Sequence, residues 1–193
     1  MIVAGWFDFC GGFQQNGVVN KTRGFTLIEL TVVVALIMIL SAVGLGAYSQ
    51  STIKSKDTQR KNDINQMVKA VEAFNNDVGR YPLSADGEDF MHCYSRVAGV
   101  VTNTVCSNGK LSTVIDGADS SYIRIPTDPD PGQSYVYVSS DGAGYAFYAA
   151  LQNTSDRDLL KDAQGNIVTY AGVSCGDSPC NYKVIESGLV KSI

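Results

Sequence analysis

The chain has 193 residues, five cysteines and a formal net charge of −4 at pH 7. A net acidic chain lacks the basic footprint of nucleic-acid-binding domains, and the sequence contains no phosphate-binding, zinc-protease or dinucleotide-binding motif. We therefore expect a protein that is not an enzyme, has no cofactor and buries one modest core.

A long apolar segment lies near the N-terminus. Lys21 and Arg23 precede it, and Glu29 is the only charged residue at positions 25–48. About 20 predominantly apolar residues are enough to span a bilayer, so the sequence predicts a membrane-spanning helix over residues 25–48. An ordinary secretory signal is the alternative, although its apolar region usually has only about 7–15 residues.

The string KTRGFTLIEL at residues 21–30 resembles the processing site of type IV pilins and the related pseudopilins. In that family a prepilin peptidase cuts after the glycine, the new terminal residue, usually Phe, is N-methylated, and the fifth mature residue is usually Glu. The resemblance implies a leader at residues 1–24, cleavage after Gly24 and a methylated Phe25. It also implies an assembly role for Glu29, which takes the fifth place.

The charge of Glu29 needs a partner, because an ionised acid at the centre of a membrane helix costs roughly 2.5–3.5 kcal/mol. Cleavage would create an α-amine on Phe25, and at about 4 Å such a pair attracts by roughly 4 kcal/mol at an effective dielectric near 20. We expect the amine of one subunit to pair with Glu29 of its neighbour. In the alternative, the Glu29 side chain reaches the near membrane surface from one turn inside the segment.

The predicted helix continues without proline until Pro82, and Gly79 followed by Pro82 predicts its end. From Ile53 onward apolar residues recur every three or four positions, which predicts an amphipathic half over residues 49–78. The apolar stripe comprises Ile64, Met67, Val68, Val71, Phe74 and Val78. We expect this half to pack in the core of a globular domain over residues 49–193.

Four basic residues follow the apolar segment: Lys54, Lys56, Arg60 and Lys61. We interpret them as a solvated helix face, which could meet lipid headgroups, acidic neighbours or DNA. Because basic residues lie on both sides of the apolar segment, counting charges does not determine its orientation.

Four cysteines follow the predicted leader, and Cys10 lies within it. Four cysteines allow three pairings, and we expect the two local ones, Cys93 with Cys106 and Cys175 with Cys180. In the chain-entropy model these loops are worth roughly 3 and 2 kcal/mol. Disulfides indicate an oxidising exterior; reduced cysteines or a zinc site are the alternatives, and the spacings fit zinc poorly.

The region predicted between the helix and residue 127 is loop-rich and carries His92, the only histidine of the chain. Adjacent residues seldom present both side chains to one substrate, so we interpret His92 as a surface residue and not as the base of a Cys93 nucleophile. The turn-rich segment 125–132 would end this region.

Alternating apolar residues predict strands in the last third of the chain. Segments 134–138 and 145–151 flank Asp141 and Gly142 and predict a hairpin, with further strands near residues 167–170 and at Tyr182–Ile185. One antiparallel sheet packed on the amphipathic half of the helix gives an α+β fold. This matches the pilin fold that the resemblance implies.

Asp128, Asp130 and Asp141 are weak candidates for a calcium site, because some pseudopilins bind calcium near their loops. They lack an EF-hand pattern, and aspartate before proline or glycine is typical of turns. We therefore expect no metal.

The expected function is that of a structural subunit of a type IV pilus or similar filament, for adhesion, motility or DNA uptake. The major pseudopilin of a type II secretion system is one alternative, and a single-pass surface binding protein or hydrolase with an uncleaved anchor is another. The resemblance implies as partners copies of the chain in a helical filament, the prepilin peptidase, the assembly platform and minor pilins. The precursor would lie in the cytoplasmic membrane with its N-terminus inside, and the assembled subunit would lie outside the cell.

Overall fold

The computed structural model describes residues 24–84, 91–106 and 109–190, without the side chains of residues 43–47. The predicted leader, apart from Gly24, lies outside the described residues. The described chain forms one long helix, α1 (Leu27–Val78), followed by strands in two sheets. It divides into two compact units between Gly44 and Leu45.

The long helix and its end are confirmed. Gly79 follows the last helical residue with a φ of +81°, a left-handed conformation that commonly closes helices and suits glycine. The predicted apolar stripe is also confirmed, since the side chains at its centre are at most 1% exposed: Ile64, Met67, Val71 and Phe74.

The first sheet contains β1 (His92–Val97), β2 (Val100–Val105), β3 (Lys110–Ile115) and β4 (Ala118–Arg124). The strand order is β2-β1-β3-β4, and the central pair β1 and β3 is parallel, whereas the outer pairs are antiparallel. Tyr94 of β1 packs edge-on against Phe74 of α1, with 6.5 Å between ring centroids. This sheet therefore covers the C-terminal end of the helix.

The prediction of a loop-rich region before residue 127 is wrong. Two-residue turns with positive φ at both residues, Ala98–Gly99 and Asp116–Gly117, connect β1 to β2 and β3 to β4. Such turns match the twist of the strands they join. The exposed outer strands lack a clear alternation of apolar and polar residues, so the period-two signal is weak here.

The second sheet contains β5 (Val136–Val138), β6 (Ala146–Ala149), β7 (Tyr182–Ile185) and β8 (Gly188–Leu189), which are antiparallel in chain order. The predicted hairpin and the strand at Tyr182–Ile185 are confirmed. The strand predicted at residues 167–170 is wrong, because Ile167 forms only an isolated bridge with Lys161. The predicted C-terminal antiparallel sheet is confirmed as this second sheet, and the structure adds the first sheet, which was not predicted.

Strands β5 and β6 carry apolar residues on both faces because each face packs in a different core cluster. Tyr137 and Phe147 face the main core with the helix stripe. Val136 and Tyr148 face a second cluster with the buried Cys175–Cys180 pair. The fold is thus α+β, with the second half of the helix packed in the core beside the strands.

Candidate assembly site

Reciprocal hydrogen bonds between Thr26 and Glu29 close the start of α1. The Thr26 N–H and hydroxyl each donate to Glu29 Oε2 at 2.8 Å, and the Glu29 N–H donates to Thr26 Oγ1 at 3.3 Å. This arrangement is a capping box, which satisfies N–H groups that a helix start otherwise leaves unpaired. This capping role was not predicted, although Thr and Glu three residues apart before an apolar run are its signature.

Glu29 is exposed in the single chain, and both hydrogen bonds to its carboxylate end on Oε2. The other oxygen, Oε1, can therefore accept a bond from a donor outside the chain while the capping box stays intact. The position in the first turn also favours a negative charge, because the N-terminal end of a helix dipole is positive. The same carboxylate can thus cap its own helix and bind a cation.

The apolar side chains of the first unit are exposed on every side of the helix. Phe25 is 89% exposed, and the large apolar side chains described between residues 27 and 40 are 42–79% exposed: Leu27, Ile28, Leu30, Val32, Val33, Val34, Leu36, Ile37, Met38, Ile39 and Leu40. A helix that is apolar all round requires an apolar environment, either lipid or other helices. By length and apolarity, no helix within the residues that the structure describes qualifies as a membrane span.

Arg60 is fully buried, so the prediction of a solvated helix face is wrong at this position. Its Nε and Nη2 donate to the two carboxylate oxygens of Asp128, and its Nη1 donates to Asp57, all at 2.8 Å. Burial by itself would lower the pKa of Arg60, but the bonds and charges of Asp128 and Asp57 outweigh it and raise this pKa. A guanidinium with two carboxylate partners can be buried, since its charge and its donors are paired.

Asp57 also connects α1 to the segment that follows β6. Its buried carboxylate accepts the N–H of Gln152 at 3.0 and 3.1 Å and the N–H of Asn153 at 2.7 Å. Hydrogen bonds to an ionised acceptor are stronger than neutral ones. This acid therefore holds a distant loop on the helix surface.

Lys61 and Lys56 bind acids as well. Lys61 Nζ lies 2.6 Å from Asp156 Oδ1 and 2.7 Å from Asp158 Oδ2, and Lys56 Nζ lies 3.7 Å from Asp130 Oδ2. Burial would lower the pKa of Lys61, but the bonds and charges of its two acids outweigh it and raise this pKa. Most of the predicted basic patch therefore holds the domain together.

The three calcium candidates have partners within the protein. Asp128 binds Arg60, Asp130 Oδ2 accepts a hydrogen bond from Gln152 Nε2 at 3.0 Å, and Asp141 Oδ1 accepts an N–H from its own turn at 2.9 Å. Among the described residues, no three His, Cys, Asp or Glu side chains are placed to hold a metal ion.

Both disulfides in the structure join cysteines that are close in sequence. Cys93 is bonded to Cys106 and Cys175 to Cys180, with Cα atoms 4.8 and 5.2 Å apart. Because Cys93 is oxidised, it offers no thiolate nucleophile. His92 beside it is half-buried and not at the surface as predicted.

Comparison with known proteins assigns the N-terminal motif to a family. Residues 19–45 match the model of the prokaryotic N-terminal methylation motif. A fimbrial protein of Pseudomonas aeruginosa is 25% identical over 136 residues, which cover 70% of this chain and 80% of that protein. The type IV major pilin protein PilA of Myxococcus xanthus is 36% identical over 61 residues, or 32% of this chain and 28% of that protein.

A third relative is the type IV wide pilus major component PilA4 of Thermus thermophilus, which is 27% identical over 58% of this chain and 86% of its own length. No solved structure matches the chain significantly. A methylation motif at the start of a long helix that packs in an α+β domain defines a pilin-like protein. In this motif and in these relatives the chain is similar to the type IV pilin family.

Proposed function

We propose that the chain is the precursor of a structural subunit of a type IV pilus. The observation that carries this proposal is the methylation motif at residues 19–45 in a chain whose relatives are named as pilus and fimbrial proteins. Cleavage after Gly24 removes residues 1–24 and makes Phe25 the N-methylated terminus of the mature subunit. Pseudopilin function in type II secretion is not favoured over this one.

The capping box supports a specific role for Glu29 in assembly. Before cleavage the Phe25 nitrogen is a neutral amide, and afterwards it is a cation. In the filament the amine of one subunit binds Oε1 of Glu29 in its neighbour, while Oε2 keeps its two bonds to Thr26. Pairing removes much of the cost of an acid in an apolar environment.

The exposed apolar surface supports assembly through the N-terminal helix. The helix half over residues 25–48 lies in the cytoplasmic membrane before assembly and in the filament core afterwards, and residues 49–193 lie outside the cytoplasm. Contacts between different surfaces of identical subunits repeat without closing and generate an open helical filament. The prepilin peptidase, the assembly platform and minor pilins act on the subunit along this route.

Mass spectrometry of sheared surface filaments tests the proposal. We expect the mature protein to begin at a methylated Phe25 and to retain both disulfides. Gly24→Val should block cleavage and filament formation, whereas Ala163→Val, at an exposed position of a remote loop, should leave cleavage unchanged. Filaments built from a chain that retains Met1 would contradict the proposal.

A further inference from the structure

Strand β2 forms an exposed edge of the first sheet. All six of its residues are exposed, and no charged residue occurs at positions 97–109. The valines of this hairpin are 44–65% exposed: Val97, Val100, Val101 and Val105. Folded proteins usually protect a sheet edge with charges, proline or a short strand, because an open edge pairs with other chains.

The other sheet edges in the described chain have such protection. β4 carries Asp119 and Arg124, β5 has three residues, and β8 has two. Among these edges β2 alone is both long and uncharged. Its composition therefore points to a partner that forms a strand beside it.

The geometry of the hairpin defines which backbone groups face that partner. A two-residue turn connects β1 and β2, so the flanking pair, Val97 and Val100, exchanges both N–H···O bonds. Bonded and non-bonded pairs alternate along an antiparallel ladder. Three β2 residues occupy non-bonded positions and direct their N–H and C=O groups away from β1: Val101, Asn103 and Val105.

The sequence of β2 identifies the partner. Residues 101–105 read VTNTV, which is the same in both directions about Asn103. Two copies of the strand, antiparallel and related by a two-fold axis at Asn103, place Val101 opposite Val105 and Thr102 opposite Thr104. The residues with outward N–H and C=O groups then face one another, and about six N–H···O bonds form.

We propose that β2 is a self-recognition edge through which two copies of the chain pair antiparallel about Asn103. Such a contact is isologous, whereas the repeating contacts within a filament are heterologous. Given the proposed pilus function, on which this step rests, the self-recognition edge joins subunits of two different filaments. It makes filaments associate side by side.

Charge substitutions on β2 test the pairing. In Thr102→Lys/Thr104→Lys each lysine lies opposite a lysine of the partner, and Thr102→Glu/Thr104→Glu repeats this with acids. We expect either variant to lower side-by-side association at least about tenfold, because like charges directly opposite destabilise strand pairs. A mixture of the two should restore it, since lysine then faces glutamate.

Low-speed sedimentation and electron microscopy measure association, while high-speed sedimentation measures total filament yield separately. Ala118→Lys/Ser120→Lys, on the exposed opposite edge strand β4, is the matched control and should associate normally. Unaltered filaments that run singly, variants that still associate, or a mixture that stays dispersed would each overturn the proposal. If the unaltered chain forms no filaments, the result counts instead against the proposed function.

A cross-link provides a readout that does not depend on filaments. The Cα atoms of a bonded antiparallel pair lie about 5.5 Å apart, within the range of a disulfide. Asn103 loses only an exposed hydrogen bond from Arg80 on substitution, so Asn103→Cys should form a dimer of two full chains that reductant separates. Adding Thr102→Lys and Thr104→Lys to Asn103→Cys should suppress this dimer. The control Ser121→Cys, on β4, should stay monomeric. The proposal is overturned if Asn103→Cys stays monomeric or becomes linked to another protein.

Discussion

Arg60 and Asp128 are joined by two parallel hydrogen bonds of 2.8 Å across 68 residues of sequence. Their side chains are 0% and 1% exposed. The fork of the guanidinium matches both carboxylate oxygens, which adds geometric specificity to the attraction. Because water does not reach either group, each depends on the other, and the pair holds the segment before β5 on the helix.

Arg60→Met should destabilise the folded domain by about 3–5 kcal/mol, because it leaves the acids of Asp57 and Asp128 buried without their cation. Urea unfolding of the detergent-solubilised chain, followed by near-ultraviolet circular dichroism, measures this loss. Lys54→Met, at an exposed position of the same helix, should change stability by less than about 0.5 kcal/mol. Equal stability of the two variants would contradict the proposed dependence on the buried pair.

Stability should fall in alkaline solution because of buried tyrosines. Burial, reinforced by the charge of Glu72, raises the pKa of Tyr145 above its ordinary value, and burial raises that of Tyr137. In the unfolded chain the hydroxyl groups of both tyrosines lose their protons near pH 10, while in the folded chain they keep them. Stability is thus unaffected below about pH 10 and falls above it by about 1.4 kcal/mol per pH unit for each such tyrosine.

Unfolding midpoints in urea between about pH 8 and pH 11 check this slope. Tyr145→Phe removes one hydroxyl that stays protonated in the folded chain. Above about pH 10 the free energy of unfolding of this variant should therefore fall less steeply, by about 1.4 kcal/mol per pH unit. A slope identical to that of the unaltered chain would show that Tyr145 does not contribute.

Glu29→Gln should separate the two roles of Glu29. Glutamine can keep the capping box with Thr26, but it has no charge for the Phe25 amine, so filament yield should fall to background. Thr26→Ala removes the capping hydroxyl at a cost of about 1 kcal/mol and should lower the yield only about fivefold. Electron microscopy and sedimentation of sheared material measure the yields.

Thr26→Ser, which keeps the hydroxyl, is the control and should assemble normally. Normal yield from Glu29→Gln would mean that the charge has no role in assembly.

Ala98→Gly should stabilise the globular domain by roughly 0.5–1 kcal/mol. Ala98 has a φ of +50° in the turn between β1 and β2, where a Cβ atom is unfavourable and glycine is not. Urea unfolding gives the difference. Ala118→Gly, in an extended strand, should instead lower the free energy of unfolding by roughly 0.5–1 kcal/mol. If Ala98→Gly lowers it as well, the backbone at Ala98 is not strained.

Several elements could be predicted because their signals are local. Apolar spacing predicted the helix stripe around Met67, and Gly79 predicted its end. Asp141 and Gly142 between alternating segments predicted the β5–β6 hairpin. The strands β1 to β4 were missed, although Asp116–Gly117 is a strong hairpin signal. The parallel pairing of β1 with β3 has no local signature, since its strands are not joined by a turn.

The amino-acid sequence by itself determined the helix, its capping pair, the processing motif and which cysteines are near enough in the chain to pair. These features depend on residues a few positions apart, whose geometry the backbone restricts directly. Only the tertiary structure decided that Arg60 is buried and that the exposed strand β2 forms the edge of a sheet. The reason is physical: the partner of a charge and the neighbour of a strand depend on where the whole chain brings distant segments together.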